Sequence, residues 1–162
     1  MRQSYLPLAG ALVGAPVVIA VALSFVLLPR EGATWGPWPL VVAALAVGGV
    51  VLAELLGYRT PPLTPGTDAG TARTVSAQRW QTAAMLRFVL TEAPLLLTIA
   101  LAFVVETPEP FWLVAGAAAV AVAGLLLHVW PWSRPVNRFA EALERDGART
   151  TLREDLGVLT AR

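Results

Sequence analysis

Residues 83–105 read AAMLRFVLTEAPLLLTIALAFVV, twenty-three positions of which only Arg87 and Glu92 carry charge. An α-helix rises 1.5 Å per residue, so roughly 20 apolar residues match a hydrocarbon core about 30 Å thick. A helix that is apolar on every face for that length has nowhere to go in a small soluble domain. The stretch therefore predicts a transmembrane span. The same test finds three more, at about 6–28, 38–56 and 110–130. The fold expected is an all-α polytopic bundle of four transmembrane helices.

Composition agrees. Of 162 residues, 56% are hydrophobic and 14% charged, with a mean hydropathy of +0.64. A soluble domain of this size cannot hide so much apolar surface. With no cysteine, disulfides, thiolate catalysis and Cys-ligated metals are excluded, and one histidine leaves little for a zinc site, so no metal or cofactor is expected. A net charge of +1 argues against a nucleic-acid partner. All twelve basic residues are arginine, which fits the codon usage of a GC-rich genome.

The domain reading divides residues 1–132, the membrane bundle, from residues 133–162, a cytoplasmic amphipathic tail. Within the bundle, residues 57–81 hold Pro61, Pro62 and Pro65 among Thr, Gly and Ala, and are expected to be a polar connector with little regular structure. The first span resembles a signal peptide in having Arg2 before it and Ala20-Val21-Ala22 within it. Its apolar run continues past that point to Leu28, so a retained span is expected.

Arginine sets the expected orientation. Arg2, the connector (Arg59, Arg73, Arg79) and the tail (Arg134, Arg138, Arg145, Arg149, Arg153, Arg162) share one side of an even-spanned chain, whereas the opposite loops carry Arg30 beside Glu31, Glu106 and Glu109. The positive-inside rule puts both termini in the cytoplasm of a multi-pass protein of the inner (plasma) membrane. Tyr5, Tyr58, Trp80, Trp130 and Trp132 fall at the inner span ends, and Trp35, Trp38 and Trp112 at the outer ones. Amphipathic rings prefer such interfacial levels.

The two halves align. Leu12-Val13-Gly14-Ala15-Pro16 falls on Leu90-Thr91-Glu92-Ala93-Pro94, and residues 37–52 fall on 110–125 with Leu40, Val41, Ala44, Ala46 and Val47 matched. This suggests duplicated hairpins in parallel orientation. Pro16 and Pro94 each remove a backbone donor, freeing the carbonyls of Leu12 and Leu90, so both kinks are expected to face neighbouring helices. Gly10, Gly14, Gly48, Gly49, Gly116 and Gly124 offer points of close helix approach.

Four ionisable residues fall within spans: Glu54, Arg87, Glu92 and His128. Counted from each span's midpoint, the first, second and fourth lie roughly 10 Å toward the inner side, and Glu92 within about 3 Å of the midplane. Shared depth predicts a Glu54–Arg87 ion pair between helices, with His128 as a third member of an intramembrane polar layer. Such a layer either fixes packing or serves transport. Glu92 has no partner at its depth, so a protonated resting state and a role as proton-binding carboxyl are expected, against the alternative of a neutral acid bonded to a proline-freed carbonyl.

Arg79-Trp80-Gln81, the run Leu86 to Ala93 and Ala100 to Phe103 together resemble the carboxylate-bearing helix of rotor proteolipids (subunit c) of rotary ATP synthases. The likeness covers some 25 residues and implies a proton-binding role for Glu92. The second span lacks the glycine-rich repeat of those proteins, the connector lacks their Arg-Gln-Pro, and a charged tail follows the fourth span. The whole chain resembles small four-span membrane proteins of actinobacteria.

In the tail, Val136, Phe139, Ala140 and Leu143 recur at helical spacing opposite Arg138, Glu141, Glu144 and Arg145, predicting an amphipathic helix that ends near Gly147. Thr151-Leu152-Arg153-Glu154 reads as a capping box. The tail either lies on the membrane or docks a partner, or else covers the mouth of its own bundle. Ser24 and His128, the intramembrane nucleophile and base, sit near opposite faces, so an enzyme is not expected. Two functions stay open: a non-catalytic membrane subunit or scaffold, and a small transporter or proton-linked component using Glu92. The bilayer is the expected partner, and a homo-oligomer or a larger membrane complex is compatible with the sequence.

Overall fold

The computed structural model describes residues 2–158; Arg162, counted above among the tail arginines, lies outside the described residues. Six helices follow in order: α1 Arg2–Ser24, α2 Trp38–Leu56, α3 Ala69–Val104, α4 Pro110–His128, α5 Ser133–Glu144 and α6 Leu152–Asp155. No strand occurs among the described residues. Helices α1 to α4 are each long and apolar enough to cross a membrane. The chain is a multi-pass helical membrane protein.

The second span coincides with α2, and the fourth ends at His128, two residues early. The first span closes at Ser24 rather than Leu28. Its last residues tighten into turns, with Val26 N–H donating to Leu23 O at 3.1 Å and Leu28 N–H to Val26 O at 3.2 Å. Pro29 follows, and a residue before proline avoids the helical region.

The connector is the larger correction. Residues 69–81 are not irregular but form the first turns of α3, which at 36 residues is about 54 Å long and outruns any bilayer core. Asp68 starts it by accepting the N–H of Thr71 at 2.9 Å, as an N-cap should. That contact holds the Asp68 carboxyl below its ordinary range. Ala72, Ser76 and Trp80, four apart, then bury one face of this overhang.

Helices α2, α3 and α4 pack against one another, while α1 leans on α4, touches α3 at one end and scarcely meets α2. The two halves thus pack differently, despite their alignment. Glycine decides two contacts: a Cβ on Gly49 would come within 2.6 Å of Pro94 Cγ and 2.5 Å of Leu90 O, and one on Gly124 would strike Thr91. The carbonyl freed by Pro94 is therefore covered by α2, as the kink argument requires. Gly10, Gly14, Gly48 and Gly116 have open space where a Cβ would go, so they are not close-approach points within the chain.

The start of α1, the connector and helices α5 and α6 gather at one end, here called the arginine end. There α5 turns its apolar stripe inward: Val136, Phe139, Ala140 and Leu143 are fully buried against Tyr5, Trp80, Ala84 and Tyr58. The tail covers its own bundle. Leu63 N–H donates to Leu143 O at 2.8 Å, the Thr150 hydroxyl to Ser76 Oγ at 2.9 Å, and Arg73 Nε to Asp155 Oδ2 at 3.0 Å. The expected capping box is absent. Thr151 donates its hydroxyl to Asp155 Oδ2 at 2.9 Å, and Thr150 Oγ1 instead accepts from Leu152 N–H at 3.2 Å.

At the opposite end Arg30, the exception to the arginine bias, caps α3. Its guanidinium donates to Ala102 O at 3.1 Å and to Val105 O. A cation on the last carbonyls of a helix satisfies orphan acceptors and the macrodipole together.

Candidate functional site

Arg87 is fully buried and has no carboxylate partner among the described residues. Helical spacing places it on one face of α3 with Trp80, two turns earlier, and with Thr91, one turn later. Its guanidinium carbon lies 4.6 Å from the Trp80 ring centre, 4.7 Å from that of Tyr58 and 5.8 Å from that of Phe139. Three segments contribute: α3, the connector and α5. Nη1 donates to Gly57 O at 3.4 Å, while Nε and Nη2 have no partner among the described residues. Gly57 is glycine for a visible reason, because a Cβ there would collide with Arg87 Cγ.

A desolvated cation over an aromatic face gains about 2 kcal/mol or more. Three faces thus offset a large part of the burial cost of a cation without a counter-ion. Trp80 and Phe139 also meet edge to face at 5.5 Å, and Tyr5 meets Trp80 at 5.9 Å. Tyr5, Tyr58 and Trp80, expected to face an interfacial level, are instead buried inside the protein.

The expected Glu54–Arg87 ion pair is not formed. Glu54, on the last turn of α2, is part-exposed beneath α5 and is held by Arg134 at 2.9 Å and by Arg138. Depth alone matched Glu54 with Arg87, but depth carries no azimuth, and α5 brings two arginines one turn apart to the other side of the carboxylate. His128 does join this group, with Nδ1 3.5 Å from Glu54 Oε2. Burial raises the Tyr58 phenol above its ordinary value against the pull of Arg87, and its hydroxyl is hydrogen-bonded with His128 Nδ1 at 3.1 Å. Arg138 also stacks on Tyr58 at 4.5 Å.

Glu92 is buried, and its side chain has no hydrogen-bond or ion-pair partner among the described residues, with Oε2 sealed from water. It stands apart from the Arg87 face, about 140° around the helix. Gln81 and Met85 share its side of α3 and line a cleft against Tyr5, Leu8 and Leu12 of α1, and that cleft does not include Glu92. Ser24 donates its hydroxyl to Val21 O at 2.7 Å on the exposed surface of α1. No cluster of three metal-ligating side chains occurs among the described residues.

Tyr58, Trp80 and Phe139 were not expected around Arg87. The spacing of seven between Trp80 and Arg87 puts both on one face and could have flagged that pair. Compared with known proteins, the chain matches no family model, no curated protein and no solved structure.

Proposed function

We propose that the chain is a non-catalytic subunit or scaffold of the inner (plasma) membrane, with both termini in the cytoplasm. The observation that carries this reading is the Arg87 cage, which locks the tail onto the bundle and leaves the cation unreachable by any substrate. The polar groups at the arginine end tie elements together: Glu54 joins α2 to α5, and Arg73 joins α3 to Asp155 at the end of α6. Orientation rests on the arginine bias, and Arg30 is accounted for as a helix cap. The exposed apolar faces of α1 and α2 suit lipid, a second copy or a larger membrane complex.

A second reading is favoured by one observation, the buried, unpartnered carboxyl of Glu92. An intramembrane carboxyl is the minimum equipment for proton-linked transport. Liposomes holding the purified chain and a pH-sensitive dye separate the two. The scaffold reading expects no flux that depends on Glu92. Proton flux abolished by Glu92→Gln would overturn it in favour of the proton-linked component.

A further inference from the structure

Two clefts open on either side of residues 59–61 at the arginine end. One, of about 450 Å³, lies between that segment and α3 and is lined by Arg59, Arg79, Ala83 and Leu86 among others. Its neighbour, of about 390 Å³, lies between the same segment and α5 and includes Arg145. Among the described residues, no acidic side chain lines either cleft. Three arginines therefore converge on one short segment with nothing in the lining to neutralise them.

Their donors are largely unspent. Arg59 makes no side-chain hydrogen bond or ion pair among the described residues. Arg79 directs Nη1 to the carbonyls of Pro61 at 2.6 Å and Pro62 at 3.3 Å, which anchors the guanidinium and leaves Nε and Nη2 over. A guanidinium fork matches phosphate oxygens in two-point geometry. From Arg79 to Leu86 the wall runs about 10 Å along α3, from the polar level into the apolar span. Leu86 is itself exposed there. The lining has the two ends of an amphiphile, which a free phosphate ion would not use.

We infer that this cleft binds an anionic phospholipid, with Arg59 and Arg79 on its phosphate and an acyl chain along Ala83 and Leu86. A zwitterionic headgroup fits worse, because its own cation would face arginines with no carboxylate to receive it. Basic pockets between transmembrane helices hold anionic headgroups on these terms.

The test is native mass spectrometry of the full-length chain in detergent, titrated in separate arms with dioleoyl phosphatidylglycerol, dioleoyl phosphatidylcholine and inorganic phosphate. Retention of phosphatidylglycerol well above phosphatidylcholine is expected, with no adduct from phosphate at the same concentration. Arg59→Gln is expected to weaken retention about fivefold, and the double variant with Arg79→Gln more than tenfold. Arg149→Gln, an exposed arginine outside both clefts, is expected to change nothing. The exposed Arg59 side chain makes no hydrogen bond or ion pair among the described residues, so its variant is expected to fold whether or not the Arg79 variant disturbs the proline segment. Equal retention of both lipids, indifference to Arg59→Gln, or phosphate binding as well as the lipid would each overturn the assignment.

Discussion

The guanidinium of Arg87 stacks 4.6 Å from the centre of the Trp80 ring, and neither side chain exposes any surface. Trp80 belongs to the overhang of α3 and Arg87 to its membrane-spanning part, and Phe139 of the tail closes on both. The bundle and its cap therefore share one packing unit.

Truncating that unit should be severe. Arg87→Ala removes a buried stem and three cation–π contacts, and is expected to cost about 3 kcal/mol in reversible unfolding in detergent. Arg87→Lys should cost less, about 1 to 2 kcal/mol, because an ammonium keeps the charge but not the flat face. Arg87→Met should be milder than Arg87→Ala, since it keeps most of the stem volume and leaves no unpartnered guanidinium nitrogens. Equal losses for all three would mean that the cage does not hold Arg87.

The partners of Glu54 can be apportioned by double-mutant cycles. Glu54→Gln combined with Arg138→Gln should show a coupling of about 0.5 to 1 kcal/mol, the usual range for a part-exposed pair. Combined with Arg87→Met, the coupling should be close to zero. A coupling of several kcal/mol in the second cycle would restore the direct pair that depth alone suggested.

Neighbouring glycines on α2 should behave oppositely. Gly49→Val drives side-chain carbon into Leu90 O and the Pro94 ring, and is expected to destabilise by about 1 to 3 kcal/mol. Gly48→Ala meets nothing within 4 Å and should be neutral or slightly stabilising. Equal thermal stability of the two variants would contradict the α2–α3 packing.

The start of α3 should respond to acid. The folded Asp68 carboxyl titrates below its unfolded value of 3.8 because it accepts from Thr71. Its contribution is therefore complete above that value and is lost as the pH falls through the lowered folded one. Helical chemical shifts of residues 69–75 should move toward coil over that acid window in the native chain. In Asp68→Ala they should be frayed at neutral pH and show no such step.

The four spans were readable because lipid demands about twenty contiguous apolar residues, a requirement that acts on each segment alone. The apolar stripe of α5 was readable for a similar reason, since Val136, Phe139, Ala140 and Leu143 repeat with the helix. The helical overhang at 69–81 was not, because its polar composition resembles a loop. Its support is the Asp68 cap and the burial of Ala72, Ser76 and Trp80 under a tail some seventy residues later. Glu54 was misassigned for the same cause. Span depths are encoded locally, whereas the arrival of Arg134 and Arg138 depends on where α5 folds back.

Hydrogen–deuterium exchange across residues 136–143, with the chain in lipid nanodiscs, tests the Arg87 lock most directly. The wild-type amides of this stretch should be strongly protected, and Arg87→Ala should release them while α2, Trp38–Leu56, stays protected. Fast exchange of residues 136–143 in the wild type, or protection unchanged by Arg87→Ala, would contradict it.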